Sequence, residues 1–577
     1  MSLHRKNRLE TVSSFDNKFR FMAILILIPV IAAGTAIYYV VGNGLDVQLG
    51  NRGNDRLTTV GWQTAQATLA ASQPQYAPQF SYYKLQEGQN LQWVAKHFSV
   101  SLTKLQQMNP GNVVWGTTIM VPPVEYPLTP IPTPQLTLKN LTVAQLQGIT
   151  YVSNSFSNPE AYVTIPQLMT FLKSYGTITE LSPKVYLVNQ PLFIQDNIRV
   201  DITSATVNTL LLRSSPNFNI TTLTFQNSEA LIEGVNVSSY NPSTGQPDTN
   251  VNDGRSFLRA YQNARMDVIN TNISYLGMTL KQSLEASVRQ KDPYVVQGGV
   301  YGVSWRIGSG TYGQEIATGW VQNSTFEHNY IGAFTFGASG MMWQDNLFTA
   351  NKVYGLDPHN NSNNATIEYN RFVANGKHGF IVSKECDYNT IKYNISIDNA
   401  LHGFMLHDNS DYNIFEDNIS IGNYDNFVIY DSNFNMTKNN LSYNPRGSGE
   451  RINGGSTQNY IENNVFYGGK QGVYLYGTAD GADVLANTFY LVGIPLITKG
   501  ASRVVYTGNQ SNVLNYQIGK QDRVVFGVNT TTSHPAVNLK PLQIIDNRSA
   551  NHQTLIEAAG AALNVELKTN NISVSGL

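Results

Sequence analysis

The amino-acid sequence predicts a mainly β protein built around a parallel β-helix, a solenoid with about 22–24 residues per turn. Two observations support this: an asparagine followed by an apolar residue recurs at a regular interval, and short alternating strands such as GFIVS and GFMLH lie between Asn/Gly turns. The recurring positions are Asn346, Asn370, Asn394, Asn418, Asn440, Asn464 and Asn487, with gaps of 24, 24, 24, 22, 24 and 23 residues. Leucine-rich repeats have a similar period, but their Leu-x-x-Leu-x-Leu frame is absent from this sequence.

The N-terminus predicts membrane insertion. Residues 21–41 contain no charged side chain, and 21 residues at about 1.5 Å each can cross a hydrocarbon core of roughly 30 Å. Residues 1–20 carry five Lys or Arg against two acidic residues, so this tail is expected in the cytoplasm, with the bulk of a single-pass cell-membrane protein outside. A cleaved signal peptide is the alternative, but the apolar run continues past the small residues 33–36, which favours an uncleaved anchor.

Residues 42–81 are rich in Gly, Gln, Asn and Ala and predict a spacer; residues 82–123 have the pattern of a small β-α-α-β domain. That pattern resembles a LysM module, with matches at Tyr83, Gly88, Leu91, Ala95, Phe98, Leu105, Asn109, Gly116, Ile119 and Pro122. The resemblance implies binding of peptidoglycan or another N-acetylglucosamine glycan. An unrelated helical spacer is the alternative.

The remaining boundaries follow from composition. Residues 124–140 are Pro-rich and predict a stiff extended linker. We expect the β-helix over residues 141–545, with a short amphipathic helix near 165–172 closing one end, and a C-terminal tail over 546–577. Net charge is −1, so no basic field predicts nucleic-acid binding. The single cysteine, Cys386, excludes an internal disulfide, and neither a metal site nor a cofactor is predicted.

Stacking the turns on paper predicts which side chains share a face. Equivalent positions on neighbouring turns lie about 4.8 Å apart. Aligning Gly355, Gly379 and Gly403 with Phe427 gives two inward columns: Leu356, Phe380, Phe404 and Val428, and Pro358, Val382, Leu406 and Tyr430. The alternating positions of each strand, and those just before and after it, then lie on one exposed face. The ionisable residues there are Tyr354, Asp357, His359, His378, Lys384, His402, His407 and Asp408.

These residue types suit proton transfer at a carbon next to a carboxylate. His359 can serve as a base near neutral pH, Tyr354 can supply a proton from the opposite side, and Asp357 is expected to orient the His359 ring. Lys384, with Lys377 and Arg371 nearby, supplies positive charge for the carboxylate of a uronate. Base, opposed acid and cation are the requirements of C5 epimerisation or of β-elimination.

The string Tyr-Gly-x-Asp-Pro-His at residues 354–359 resembles the mannuronan C5-epimerases of alginate metabolism, which are right-handed parallel β-helices. The similarity extends over roughly residues 160–500, including SFLRAY at 256–261, YLG at 275–277, YGVSW at 301–305 and HGFIVSKE at 378–385. It implies that His359 is the base, that Tyr354 or water is the donor, and that Lys384 neutralises the carboxylate where the periplasmic branch has Arg. Asp357 matches the motif Asp, and Asn360 stands where the family usually has an acid.

Seven residues are predicted to bind substrate: His378, His402, His407, Asp408, Asn360, Arg371 and Lys377. The expected partners are a polyuronate polysaccharide, the glycan of the LysM-like module and the membrane around residues 21–41. A polyuronate lyase and a non-catalytic glycan-binding β-helix remain open, and turn residues of these types also occur for conformational reasons alone. A glycosidase is disfavoured, because its paired carboxylates would have to come from Asp408 with Asp411 or Asp431.

Overall fold

The computed structural model describes residues 80–131, 138–215, 221–279 and 299–532. The predicted tail 1–20, anchor 21–41 and C-terminal tail 546–577 lie outside these residues, as does nearly all of the spacer 42–81. Within the described ranges, no helix is long and apolar enough to cross a membrane.

The main body is a parallel β-helix, as the sequence predicts. Each complete turn contributes one strand to each of three sheets, in the order sheet 1, sheet 2, sheet 3. Sheet 1 consists of strands Ala161–Thr164, Ile198–Thr203, Glu229–Glu233, Arg265–Ile269, Trp320–Gln322, Met342–Gln344, Thr366–Glu368, Thr390–Lys392, Ile414–Glu416, Met436–Lys438, Tyr460–Glu462, Asp483–Leu485, Val504–Thr507 and Val524–Phe526.

Sheet 2 consists of strands Ile178–Ser182, Val185–Val188, Thr209–Arg213, Asn236–Tyr240, Asn272–Ser274, Thr325–Glu327, Leu347–Thr349, Arg371–Val373, Ile395–Ile397, Ile419–Ile421, Leu441–Tyr443, Val465–Tyr467, Thr488–Tyr490, Gln510–Ser511 and Thr530–Thr531. Sheet 3 consists of strands Thr142–Leu146, Ile149–Ser153, Leu192–Gln195, Thr222–Gln226, Phe257–Tyr261, Gly302–Arg306, Ile331–Phe336, Leu356–His359, Phe380–Ser383, Phe404–His407, Phe427–Tyr430, Ser448–Asn453, Gln471–Tyr476, Ile494–Lys499 and Tyr516–Gln517. Met278–Thr279 and Gly299–Val300 form a separate antiparallel pair.

The repeated asparagines form a ladder at the corner between sheets 1 and 2. The Asn346 Nδ2 donates to Asn370 Oδ1 at 2.9 Å, and Asn370 Nδ2 donates to Asn394 Oδ1 at 3.0 Å. Each amide also binds backbone, as where Asn370 Nδ2 donates to Trp343 O at 2.9 Å. Buried polar groups need such partners, so one asparagine per turn satisfies the corner and sets the repeat.

The predicted inward stacking is confirmed for Leu356, Phe380 and Phe404, whose side chains have no exposed surface.

The predicted alignment of the next turn is wrong by one residue. Phe404 pairs with Phe427 and Leu406 pairs with Ile429, so Val428 and Tyr430 point outward. The cause is a shorter corner, because Asn399 and Gly403 are four positions apart whereas their equivalents, Asn423 and Asn426, are three apart. A slip of one residue exchanges the two faces of a strand.

A short helix closes the N-terminal end of the solenoid. It spans Ile165–Phe171 and begins with Pro at its first turn, and the Gln167 side chain accepts a hydrogen bond from Thr164 N at 2.9 Å. Ile165 and Leu168 are fully buried in the solenoid core. A 3₁₀ turn follows over Lys173–Tyr175. A second 3₁₀ turn, Leu138–Asn140, precedes the first strand of sheet 3.

The small domain has the order of elements that the sequence predicts. Strand Ser81–Lys84 pairs antiparallel with Thr118–Val121, and helices Leu91–His97 and Leu102–Met108 lie between them. The first helix begins where the Asn90 side chain accepts a hydrogen bond from Trp93 N, as an N-cap residue does. Tyr83, Val94 and Leu105 are buried in the core of this domain.

The small domain packs directly against the β-helix. His97 Nδ1 lies 2.9 Å from Glu229 Oε1, and its Nε2 lies 2.8 Å from Asn263 O. Ile316 of the β-helix contributes to the core of the small domain. Residues 80–124 are therefore fixed to the solenoid by buried polar and apolar contacts.

The segment after the small domain, residues 124–131, lies along sheet 1; we call it the strap. Leu128 N donates to Asp267 Oδ2 at 2.7 Å, Ile131 N donates to Asp201 Oδ2 at 2.9 Å, and Arg265 Nη2 donates to Tyr126 O at 2.9 Å. The first part of the predicted linker is thus bound to the solenoid. Residues 132–137 lie outside the described residues.

Candidate functional site

The outer face of sheet 3 holds most of the predicted site residues. Strand Leu356–His359 lies between Ile331–Phe336 and Phe380–Ser383, with His359 opposite Phe336 on one side and Ser383 on the other. Because Leu356 points into the core, alternation turns Asp357 and His359 outward. A Cβ at Gly355 would lie 2.4 Å from Gly379 O, so the close turn-to-turn approach before this strand requires glycine.

His359 is held as a neutral imidazole. Burial, opposed by the hydrogen bond with Asn360 and reinforced by the charge of Lys384, lowers its pKa to about 4. Its Nδ1 contacts Asn360 Oδ1, an acceptor, and this contact favours the tautomer with the proton on Nδ1 and the lone pair on Nε2. The ring also packs 5.4 Å from the ring of Phe334. The predicted orientation of His359 by Asp357 is not observed: the amide of Asn360, predicted to bind substrate, holds the ring.

Asp357 is a buried carboxyl group with an unused oxygen. Its side chain is on the outward side of the strand, yet only 3% of the residue is exposed. Among the described residues, its Oδ1 has no hydrogen-bond partner. Burial raises the pKa of Asp357 well above its usual range, and the nearby charge of Lys384 only partly opposes this. The protonated form, which can donate a hydrogen bond, is therefore favoured.

Tyrosines surround Asp357. Burial and the neighbouring carboxyl of Asp357 raise the pKa of Tyr354 to about 12, so its phenol keeps its proton. Tyr301 stacks on Phe334 at a ring distance of 4.0 Å, and burial together with Asp357 raises its pKa as well. Tyr330 also raises the pKa of Tyr354. The sequence contains Tyr301 within the YGVSW string, but a single residue there carries no signal for its place beside Asp357.

Lys384 stands at the turn that follows sheet 3. Its backbone has a φ of 65°, and it occupies the same position in its turn as Asn360 and Asp408 in theirs, which have φ values of 46° and 58°. The side chain is exposed. Its charge lowers the pKa of both Asp357 and His359, so this cation acts electrostatically on the two groups. The left-handed φ belongs to this turn of the solenoid, since the equivalent and following turn residues, such as Glu385, share it.

The two histidines before the next strands form a stack. Rings of Tyr354 and His378 lie 5.0 Å apart, and those of His378 and His402 lie 4.8 Å apart. His402 N donates to His378 Nδ1 at 3.3 Å, and burial lowers the pKa of both, that of His402 to about 3. Arg451 lies 3.1 Å from His402 Nε2 and 3.2 Å from Asp425 Oδ2.

Arg451 and Asp425 were missed by the sequence reasoning because of the one-residue slip in register. Arg451 stands opposite Val428, which the correct register turns outward in the column of Ile381 and Met405. The shortened corner was visible as the 22-residue gap between Asn418 and Asn440.

The other predicted residues divide between two faces. His407 pairs with Ser383 on the sheet 3 face and stacks on Tyr430 at 5.1 Å. Burial lowers the pKa of His407; the charge of Asp408 opposes this shift and that of Lys384 adds to it. Lys377 Nζ lies 5.9 Å from the ring centre of Tyr354.

Arg371 does not belong to the sheet 3 strands. It lies in a sheet 2 strand between Leu347 and Ile395, because only six residues separate its strand from the following sheet 3 strand and they form the corner. It was expected near Lys384; its strand places it on the neighbouring sheet, and its role in substrate binding stays a prediction. In the ranges that the structure describes, no group of three or more His, Cys, Asp or Glu side chains is arranged to hold a metal ion.

Comparisons with known proteins agree with this architecture. Residues 302–420 match the family described as the right handed beta helix region. Mannuronan C5-epimerase from Pseudomonas fluorescens is 25% identical over 195 residues, 33% of this chain and 34% of the relative; the Pseudomonas putida protein of the same name is 25% identical over 194 residues, with the same coverage. The matched segment therefore spans about a third of the length of these curated relatives.

Solved structures of similar chains include the periplasmic alginate epimerase AlgG, with 17% identity, a TM-score of 0.49, and coverage of 83% of this chain and all of that chain. The AlgE6 A-module of the Azotobacter vinelandii mannuronan C-5 epimerase has 14% identity, a TM-score of 0.34, and coverage of 60% and 87%. The resemblance to mannuronan C5-epimerases is thus confirmed as a similarity of sequence, on a right-handed β-helix.

Proposed function

We propose that this chain is a polyuronate C5-epimerase acting on mannuronate residues of an alginate-like polymer. The observation that carries the proposal is a neutral imidazole, His359, on the same outer face as Asp357, whose buried Oδ1 has no hydrogen-bond partner among the described residues, and as the cation of Lys384. The partial sequence similarity to proteins named mannuronan C5-epimerase supports the reaction class and the polymer.

Binding begins with the carboxylate of the sugar. Burial favours the protonated form of Asp357, which can donate its O–H to this carboxylate without placing two negative charges together. Lys384 supplies the positive charge that the substrate carboxylate needs once water is excluded. A protonated acid and a cation thus recognise a uronate and disfavour a neutral sugar at this position.

Proton removal is the task of His359. Its Nε2 takes the C5 proton and becomes imidazolium, and the electron pair of the broken C–H bond moves into the sugar carboxyl group as a second negative charge. Lys384 and the Asp357 hydroxyl stabilise that charge. The hydrogen bond from Nδ1 to Asn360 keeps the ring oriented through the transfer.

Reprotonation completes the inversion. Tyr354 donates its phenolic proton to C5 from the opposite side, which its raised pKa permits because the proton is present at neutral pH. The resulting phenolate and the imidazolium of His359 then return to their starting states by exchange with solvent. No bond of the polymer backbone breaks in this sequence.

A lyase is the second candidate, because elimination shares the first step. In that case the carbanion expels the 4-linked sugar and leaves a double bond between C4 and C5, with a proton delivered to the departing oxygen. Tyr354 is the available donor for either outcome. A glycan-binding β-helix without activity is the third.

The experiment is incubation of the full chain with polymannuronate in deuterated water, followed by NMR of the sugars and by chain-length analysis. An epimerase places deuterium at C5 of inverted residues and leaves chain length unchanged. Shortened chains with an ultraviolet-absorbing unsaturated end would instead identify a lyase. Binding without deuterium or new ends, on uronans from several sources, would show that the chain is a binding protein.

We further propose that residues 21–41 anchor the chain in a cell membrane and that residues 82–123 hold a cell-wall N-acetylglucosamine glycan. The uncharged N-terminal run and the complete LysM-like residue pattern support these two statements. Membrane fractionation of the full chain tests the first. Co-sedimentation with insoluble peptidoglycan tests the second, and recovery of the protein in the supernatant would contradict it.

A further inference from the structure

A cleft of about 390 Å³ lies between the small domain and the β-helix, outside the sheet 3 face described above. Its aromatic walls come from both parts of the chain: Tyr82 from the first strand of the small domain, and Tyr312 and Tyr388 from turns of the solenoid. Asn361 and Asn363 supply amide groups. The volume falls in the range of small-ligand pockets, roughly 300–1,000 Å³.

The walls of the cleft are held in place by hydrogen bonds across the junction. Asn364 Nδ2 donates to Phe80 O at 2.9 Å, and Lys84 N donates to Gln314 O at 3.1 Å. The loop carrying Tyr312 is tied to itself, since Glu315 Oε2 accepts from Gly308 N and from Thr311 Oγ1, both at 2.8 Å. A preformed cleft binds its ligand without the entropic cost of ordering these segments.

The lining has the chemistry of a site for an uncharged sugar. Aromatic rings with exposed area offer apolar surface to the C–H faces of a pyranose, and half of Tyr82 and 39% of Tyr312 are exposed. Amide and hydroxyl groups can bond sugar hydroxyls. No Lys or Arg is among the described residues that line the cleft, and Glu315 is the charged residue there. Among these lining residues a uronate would therefore meet a carboxylate and no cation.

We infer that this cleft is a binding site for a neutral pyranose saccharide. It is separate from the face that carries Lys384 and His359, and the inference does not rest on the proposed epimerase activity. The two sites are neighbours: the Tyr312 ring lies 5.8 Å from that of Phe336, the strand partner of His359. A neutral glycan held in the cleft would lie beside the charged polymer on sheet 3.

The test is calorimetric titration of the full chain with N,N′-diacetylchitobiose and cellobiose, and with dimannuronate as the charged counterpart. At least one neutral disaccharide is expected to bind, and Tyr82→Ala and Tyr312→Ala are expected to weaken it tenfold or more. Tyr175→Ala is the matched control, because Tyr175 is 39% exposed, like Tyr312, but lies at the N-terminal end of the solenoid. Melting temperatures of all variants establish that they are folded.

Several results would overturn the inference. They are the absence of binding by both neutral disaccharides, an equal loss in Tyr175→Ala, and dimannuronate binding that Tyr312→Ala weakens as strongly as it weakens the neutral sugar. Trp115→Ala separates this cleft from the remaining surface of the small domain, since Trp115 is 68% exposed and does not line the cleft. Binding lost in Trp115→Ala but retained in Tyr312→Ala would also place the site elsewhere.

Discussion

Asp267 on sheet 1 and Asp357 on sheet 3 are both buried carboxyl groups on the outside of the same solenoid, and their surroundings are opposite. Asp267 accepts hydrogen bonds from Arg265 Nη2 at 2.7 Å, from Leu128 N of the strap at 2.7 Å, and from Trp320 N at 2.9 Å. Asp357 Oδ1 has no partner among the described residues.

The difference separates a face that serves stability from a face that serves chemistry. Buried polar groups in proteins almost always have partners, and the strap completes those of Asp267. On sheet 3 the buried acid Asp357, the neutral imidazole of His359 and the cation Lys384 remain able to bind a ligand. The comparison predicts that mutations on sheet 1 change unfolding and that mutations on sheet 3 change turnover.

The largest effect is expected for His359→Gln. A neutral amide keeps polarity but cannot accept the C5 proton, so deuterium incorporation into polymannuronate should fall by about 10³-fold or more. Polymer binding and melting temperature should stay near those of the wild type. His407→Gln is the control on the same face, and an equal loss in both variants would remove the special role of His359.

Asp267→Asn is expected to act on stability alone. The substitution breaks the buried ion pair of Asp267 with the guanidinium of Arg265, which costs about 3–5 kcal/mol, although Glu229 remains opposite Arg265 on the neighbouring strand. Urea unfolding measures this free energy. Turnover per folded molecule should be unchanged, and a selective loss of turnover in a stable Asp267→Asn protein would contradict the division between the two faces.

Lys384→Met should reduce kcat/KM by about 10²-fold, because one fixed charge contact at the developing carboxylate dianion is lost. Lys384→Arg should recover most of this, since it restores the charge. The exposed side chain contributes little to folding, so the melting temperature should not change. A Met variant as active as wild type would show that another cation meets the carboxylate.

The smallest effect is expected inside the core, at Glu450. This residue points inward opposite Phe427, its carboxyl accepts a hydrogen bond from Thr437 Oγ1 at 2.8 Å, and burial raises its pKa to about 8. The folded pKa is above the unfolded value of 4.5, so the stability that the neutral carboxyl allows is fully present below about pH 4.5. This stability is lost as the pH rises from there through about 8. Glu450→Gln should therefore stabilise the protein by about 1–2 kcal/mol at pH 9 and less at pH 5. Thermal unfolding at both pH values checks this, and an advantage that shrinks with rising pH would contradict it.

The sequence was sufficient for the solenoid because its asparagines mark a physical requirement of every turn. Asn346 to Asn487 each fill the same corner, and their amides bond to one another, so the interval between them is the length of a turn. The motif strand followed in the same way, since Leu356 and Phe380 had to share the core.

Other features required contacts that no local pattern encodes. The strap is bound by Asp201 and Asp267, 70 or more positions away, so proline content alone suggested a free linker. The role of Asn360 was hidden because its neighbour His359 was expected to bond to a carboxylate rather than to an amide. The corner at Asn423–Asn426 is one residue short, so Val428, the strand partner of Arg451, was predicted to point inward.

The acid limb of kcat/KM for soluble oligomannuronates tests most directly whether the buried, neutral His359 is the base. The limb reports the pKa of the free protein, and a base is active only when deprotonated. The structure predicts full activity down to about pH 5 and a loss as pH falls through about 4, the pKa of His359. A limb near the ordinary histidine value of about 6.5, or no turnover at any pH, would contradict the account.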